Sequence, residues 1–336
     1  WWWWTAEVAL PLLTFFPISS RAHSKINLRL KVRGRRPDGF HILEMLNVCT
    51  SLADELEVSV AKSGAPWLQI SVLECACSET KAQLEDVQNN LIGRAVQEMV
   101  HEFGVSIPSL SVKLTKRIPA GAGLGGGSAD AAAMIRIMTS LLGASIGAPL
   151  FVAGPELESR LMRVAARVGS DVPYLLHGGA AYVGGVGEIV KQVDSAELDG
   201  MPALLIVPLF ATSTAAVYAR FRTIAPKLSE NPAFKSDGLL LPTSYREILE
   251  LIENDLEPAI LDVSPKLAPV LTELRKISAI RAAITGSGSV IFALPENPRG
   301  FSDQTVDQIR FTAKQFEAQV VATKLIAQPR ASFLTI

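Results

Sequence analysis

The segment Pro119-Ala120-Gly121-Ala122-Gly123-Leu124-Gly125-Gly126-Gly127-Ser128 holds five glycines in ten residues and runs directly into Ala129-Asp130-Ala131-Ala132-Ala133. Upstream, Leu110-Ser111-Val112-Lys113-Leu114 alternates apolar and polar residues, the period of a strand. Downstream, apolar residues at 131, 134, 135, 138, 141 and 142 follow a helical period, which predicts a helix over 129–142. Glycines let backbone N–H groups approach a ligand without interference from Cβ. A helix start adds unpaired N–H donors and the positive end of a dipole. Strand, glycine loop and helix in that order make an anion cradle, and phosphate is the anion it suits. No lysine follows the last glycine, so the loop is not of the Walker A kind. The spacing and following acidic residue of a dinucleotide fold are absent as well.

The remaining sequence narrows the class. With 336 residues, 49% hydrophobic and 19% charged, the chain has a globular profile and room for two domains. A net charge of −1 without a long basic run gives no reason to expect nucleic acid as a partner. Three cysteines, Cys49, Cys75 and Cys77, are too few for a disulfide framework and fit a reduced, cytoplasmic setting. Cys75 and Cys77 would share a strand face, but no second pair of ligands accompanies them for zinc. Trp1 to Trp4 open an apolar segment with neither the basic flank of a signal peptide nor the length to span a bilayer, and no membrane partner is expected. Residues 1–17 are read as an ill-defined extension.

Alternation predicts strands over 26–33, 55–60, 68–72, 203–208, 281–284 and 290–294, with glycine-rich strand structure over 178–190. Helices are expected from Leu91 to about 103 behind an Asn cap, over 154–168, 214–221, 245–253 and 264–276. Residues 225–243, rich in Pro, Ser and Asn, read as loop. The two blocks suggest an α+β enzyme of two domains, 18–187 and 188–330, with a cleft between them.

Three segments carry chemistry: Lys25-Ile26-Asn27-Leu28 with Gly34-Arg35-Arg36-Pro37-Asp38-Gly39-Phe40-His41; Pro119 to Ala129 with Asp171; and Thr285-Gly286-Ser287-Gly288-Ser289. In this order and spacing they closely resemble the GHMP kinase superfamily, over roughly residues 18–330. The Gly34–His41 segment narrows the resemblance to the branch acting on cytidyl-diphosphate methylerythritol. Gly185-Val186-Gly187-Glu188 and Asn254-Asp255-Leu256-Glu257-Pro258 support this.

The resemblance implies an N-terminal domain like ribosomal protein S5 domain 2 and a ferredoxin-like C-terminal domain. It implies a kinase using ATP as MgATP on that small-molecule substrate, as a monomer or weak homodimer. Asp171 would be the base and Lys25 its electrostatic partner. The glycine segment from Pro119 through Ser128 and Ala129 would hold the phosphates, with Ser128 offering its hydroxyl to phosphate or Mg²⁺ or capping the helix. Asn90 either caps its helix or lies near the adenine. Asn27, Phe40, His41 and Thr214 would face the acceptor. No protein metal ligand is assigned, and Asp130 is read as serving the helix dipole.

Departures from the family pattern are His23-Ser24 before the lysine, Phe40 for Tyr, Asn89 for Asp, and Leu209-Phe210 in a turn that usually contains glycine. The alternatives are another small-molecule kinase of the superfamily and a nucleotide-binding homologue without catalysis.

Overall fold

The computed structural model describes residues 17–75, 78–146, 154–193, 195–225, 229–230 and 244–329. All but the last residue of the 1–17 extension, Cys77, and most of the 225–243 loop lie outside them.

Strands β1 (Ile18–Arg35) and β2 (His41–Val60) form a long antiparallel hairpin, of which the expected strands 26–33 and 55–60 are only parts. Its turn is built by Gly39 at φ +96° and by Asp38, whose Oδ1 accepts the Phe40 N–H at 3.2 Å. The β1–β2 register shifts between His23 and Lys25 and again between Asn27 and Arg29. Such bulges re-aim side chains, and these two bracket Lys25-Ile26-Asn27.

β3 (Leu68–Glu74) runs parallel to β4 (Leu110–Thr115) through a crossover holding α1 (Ser78–Glu85) and α2 (Leu91–Phe103). Cys75 follows the last residue of β3 rather than lying in the strand. β4 pairs with the far end of β2.

α3 (Gly126–Ile146), α4 (Pro155–Val168) and the short α5 (Val172–His177) follow. Then β5 (Ala180–Gly185) pairs with the near end of β2, and β6 (Ile189–Gln192) completes a hairpin with it. Every residue of α3 from Ala129 to Thr139 is buried, between β1, α2 and α5. A helix covered on all sides needs small apolar residues all round, which its alanines supply.

The second half comprises β7 (Pro202–Pro208), α6 (Thr214–Ile224), β8 (Ser229–Glu230), α7 (Tyr245–Glu250), β9 (Glu253–Asn254) and α8 (Glu257–Val263). α9 (Leu267–Arg275), β10 (Ile280–Ile284), β11 (Ile291–Pro295), α10 (Asp303–Gln315) and β12 (Ala318–Ile326) complete it. An antiparallel sheet in the order β10–β11–β7–β12 carries α9 and α10. β12 continues past β7 so that Leu325 and Ile326 pair with Thr50 and Cys49 of β2. The α+β organisation is the one expected. α1, α5, α8, α10, β8, β9 and β12 are additions, short or largely polar segments; β8 lies inside the segment read as loop, where it pairs with the end of β1, and α7 stops at Glu250, before the expected 253. Among the described residues no helix is long and apolar enough to cross a membrane.

Candidate active site

Between its two bulges β1 turns Lys25 and Asn27 into one pocket. Lys25 is only 4% exposed, and an ammonium so buried needs partners. Its Nζ donates to Asn27 Oδ1 at 2.8 Å and lies 3.7 Å from Asp171 Oδ2. Asn27 is itself held: its Nδ2 donates to Asn47 Oδ1 at 2.6 Å, and its backbone N–H donates to Thr285 Oγ1 at 2.9 Å. The Thr285 hydroxyl donates to Asn27 Oδ1 at 3.3 Å. Asp171 occupies the cap position of α5, yet its side chain caps nothing. The carboxylate faces the Lys25 ammonium instead.

The glycine loop closes over this pair. The Lys25 N–H donates to Leu124 O at 3.0 Å, joining strand to loop. Gly125, at φ +73°, lies against the lysine stem, where a Cβ would come within 3.2 Å of Lys25 Cγ. Gly123, at φ +76°, backs onto the Thr285–Ser289 loop, and a Cβ there would meet Thr285 O at 2.9 Å. That second loop is fixed by Asn254, whose Nδ2 donates to Ile284 O at 2.9 Å and Gly286 O at 2.8 Å. The three sequence segments therefore converge on one place.

α3 begins three residues earlier than expected, so Gly126, Gly127 and Ser128 form its first turn and the loop proper is Pro119–Gly125. A Cβ on Gly126 would lie 3.1 Å from Ile118 Cγ2 and 3.3 Å from Lys116 Nζ. The missing side chain is what lets the helix start so close to the strand it left. Ala129 N–H, bonded to Gly125 O at 2.8 Å, is already intrahelical. Asn90 caps α2: its Oδ1 accepts the Ile92 N–H at 2.8 Å and its Nδ2 donates to Leu84 O at 2.5 Å. Both atoms of its amide are thus occupied within the fold. Asp130 is buried against Lys116, 2.8 Å from its Nζ, a partner that no pattern around Asp130 pointed to.

A cavity of about 200 Å³ opens beside the pair, walled by Lys25, Asn27, Asp171, Thr214, Tyr218 and Gly286 among others. A larger one, about 390 Å³, lies over β1, β2 and β4 near Ser19 and Lys113 and shares no residue with the first. Thr214, the first residue of α6, has its Oγ1 2.8 Å from Ser287 Oγ. His41, at the start of β2, stacks on Tyr218 with ring centroids 4.9 Å apart and meets Phe221 edge-on at 6.1 Å. Its buried Nε2 has no hydrogen-bond partner. Burial, with the Arg222 and Arg35 charges behind it, lowers the imidazole below its ordinary value, so His41 is neutral at neutral pH.

Phe40 is 63% exposed and outside this stack. Tyr218 was not among the residues expected from the sequence. Its signal was its place four residues after Thr214, one turn along the same helix face. Among the described residues no group of three or more His, Cys, Asp or Glu side chains could hold a metal ion.

The comparisons with known proteins agree with this geometry. The family models for the GHMP kinase N-terminal domain and the GHMP kinase C-terminal region match residues 90–179 and 233–310. A 4-diphosphocytidyl-2-C-methyl-D-erythritol kinase of Solibacter usitatus is 33% identical over 282 residues, 82% of this chain and 80% of that protein. One of Gluconacetobacter diazotrophicus is 35% identical over 286 residues, 84% of this chain and 88% of the relative. A crystal structure of 4-(cytidine 5'-diphospho)-2C-methyl-D-erythritol kinase superposes with a TM-score of 0.64 at 29% identity, covering 92% of this chain and 99% of that one. With its glycine loop, its Lys25–Asp171 pair and these relatives over most of its length, the chain belongs to the GHMP kinase family, among the 4-diphosphocytidyl-2-C-methyl-D-erythritol kinases.

Proposed function

We propose that the chain transfers the γ-phosphoryl group of ATP to the 2-hydroxyl of 4-diphosphocytidyl-2-C-methyl-D-erythritol, giving the 2-phosphate and ADP in non-mevalonate isoprenoid synthesis. The observation that carries this reading is the 3.7 Å approach of Lys25 Nζ to Asp171 Oδ2 under the glycine loop. A hydroxyl becomes a competent nucleophile when a carboxylate within reach accepts its proton. Asp171, part exposed at the cavity wall, is that carboxylate. As the acceptor oxygen bonds to the γ-phosphorus, the bond from phosphorus to the β–γ bridging oxygen breaks and ADP leaves. The proton stays on Asp171 until solvent takes it. Lys25, oriented by Asn27, offsets the charge on the transferring group.

Pro119 through Ser128 and Ala129 form the phosphate cradle: the backbone N–H groups from Ala120 to Ser128 would face the phosphates with the Ser128 hydroxyl beside them, while Pro119 and Ala129 fix the two ends of the loop. The packing at Gly123 and Gly125 supports this, because both positions lack room for a Cβ. Mg²⁺ would arrive on the nucleotide and neutralise phosphate charge, with the Ser128 hydroxyl placed to meet it or a phosphate oxygen. Thr214 borders the methylerythritol unit.

At the cytosine end, the partnerless His41 Nε2 fits the exocyclic amino donor of the base, and exposed Phe40 offers a stacking face. Asn90 caps α2, and from there its part on the nucleotide side is to fix that helix beside the adenine. The division into residues 18–187 on the nucleotide side and 188–330 on the acceptor side belongs to the same reading.

ADP release on mixing protein, MgATP and the cytidyl substrate tests this. Turnover with that substrate, and none with mevalonate, phosphomevalonate or homoserine, is the expected outcome. Nucleotide binding without turnover would point to a homologue that has lost catalysis.

A further inference from the structure

Behind the glycine loop lies a buried charged set that the reaction above does not use. Asp54 of β2, Lys116 just after β4 and Asp130 in the second turn of α3 have side chains 0%, 5% and 2% exposed. Lys116 Nζ donates to Asp54 Oδ2 and, at 2.8 Å, to Asp130 Oδ2. The other oxygen of Asp54 accepts two backbone N–H groups, those of Arg117 at 2.6 Å and Ile118 at 2.8 Å. These two residues immediately precede Pro119. One end of the loop is thus fixed by Asp54, the other by Asp130 through the helix it starts, and Lys116 joins them. Lys116 Nζ also lies against Gly126, where a Cβ would be 3.3 Å away.

We propose that Asp54, Lys116 and Asp130 are positioning residues for the nucleotide, holding the two ends of the glycine loop at the separation that aims its N–H groups at the phosphates. The inference rests on the loop's role as phosphate cradle. A loop of small residues has little side-chain packing of its own to fix its span, and each glycine left free costs more ordering entropy than another residue. Tying both ends to one buried set confines that freedom before a ligand arrives, which raises affinity by preorganisation. Burial, with the Asp54 charge adding to it, pushes Asp130 up to about 8 against the pull of Lys116.

The test compares Asp54→Ala with Asp54→Asn, reading the Kd of a non-hydrolysable ATP analogue by calorimetry and the KM of the acceptor by turnover. Asp54→Ala should weaken the analogue by roughly tenfold or more while the acceptor KM stays within about twofold. Asp54→Asn, which keeps an oxygen for the two N–H groups, should recover most of the loss. Wild-type affinity in folded Asp54→Ala, or equal losses for nucleotide and acceptor, would overturn the proposal and leave the kinase reading standing. A wild-type chain that does not bind the analogue would overturn both.

If Asp54→Ala does not fold, hydrogen exchange on the wild type decides. The analogue should slow the amides of Arg117 and Ile118 together with those of residues 120–128. Slowing confined to 120–128 counts against the set.

Discussion

At the scale of single residues, the proposed transfer would turn on one carboxylate and one ammonium, which a bulged strand keeps 3.7 Å apart. Asp171→Asn should leave affinity for an ATP analogue nearly unchanged and cut kcat by about 10²-fold or more, the usual weight of a general base. A near-wild-type kcat would remove Asp171 from that role. Lys25→Met should likewise lower kcat more than it raises the KM for ATP, and an effect confined to KM would mean simple binding.

Tyr218→Ala, which takes away the ring supporting His41, should raise the acceptor KM roughly tenfold, the scale of one lost stacking contact. ATP kinetics serve as the control. Lys25 and Asp171 were legible in the sequence because each lies in a short motif whose neighbours announce it. Tyr218, Thr285 and Asn47 were not, because their meaning arises only when distant segments meet. Asn90 shows the reverse: the motif left cap or adenine neighbour open, and the two hydrogen bonds of its amide make it a cap.

At the scale of elements, one residue of α2, Glu102, gathers three arginines of α4, beside a second bond from Arg167 to Glu98 at 2.6 Å. Glu102 bonds to Arg163 at 2.9 Å and to Arg167 at 2.8 Å, and its backbone oxygen accepts from Arg160. Burial alone would raise its pKa, but the Arg167 and Arg163 bonds outweigh that and bring the carboxyl down from 4.5 to about 2. A depressed acid stabilises the fold fully above its unfolded value and loses that contribution as it is protonated. The stability gap between wild type and Glu102→Gln should therefore be widest above pH 4.5 and close as pH falls toward 2. Denaturant midpoints across that range measure it; a gap that is constant with pH would exclude the charge as its cause.

The glycine loop is an element of the same kind, in which local sequence tells half the story. Its flanking strand and helix follow from alternation and period. The three-residue shift in the start of α3 does not, because it depends on Ile118 and Lys116 folding back against Gly126.

At the scale of the whole molecule, β12 decides whether the halves behave as one. It pairs along its length with β7 and at its end with β2, so it joins the β10–β11–β7–β12 sheet to the hairpin that carries Lys25. The strand drew no expectation from the sequence, since its alternation is weak and its partners, residues 202–208 of β7 and 49–50 of β2, lie far from it in the chain. Leu325, 1% exposed, sits at the junction in a buried cluster that includes Ile26 and Leu46 from one side and Leu205 and Phe292 from the other. Removing most of that side chain leaves a cavity bordered by both sheets. Leu325→Ala should cost about 2–5 kcal/mol. Because the cavity touches both sheets, the loss should appear as one cooperative transition shifted as a whole, with circular dichroism and protection by an ATP analogue reporting the same midpoint. Two transitions, one at the wild-type temperature, would mean that the halves fold independently and that β12 only brings them side by side.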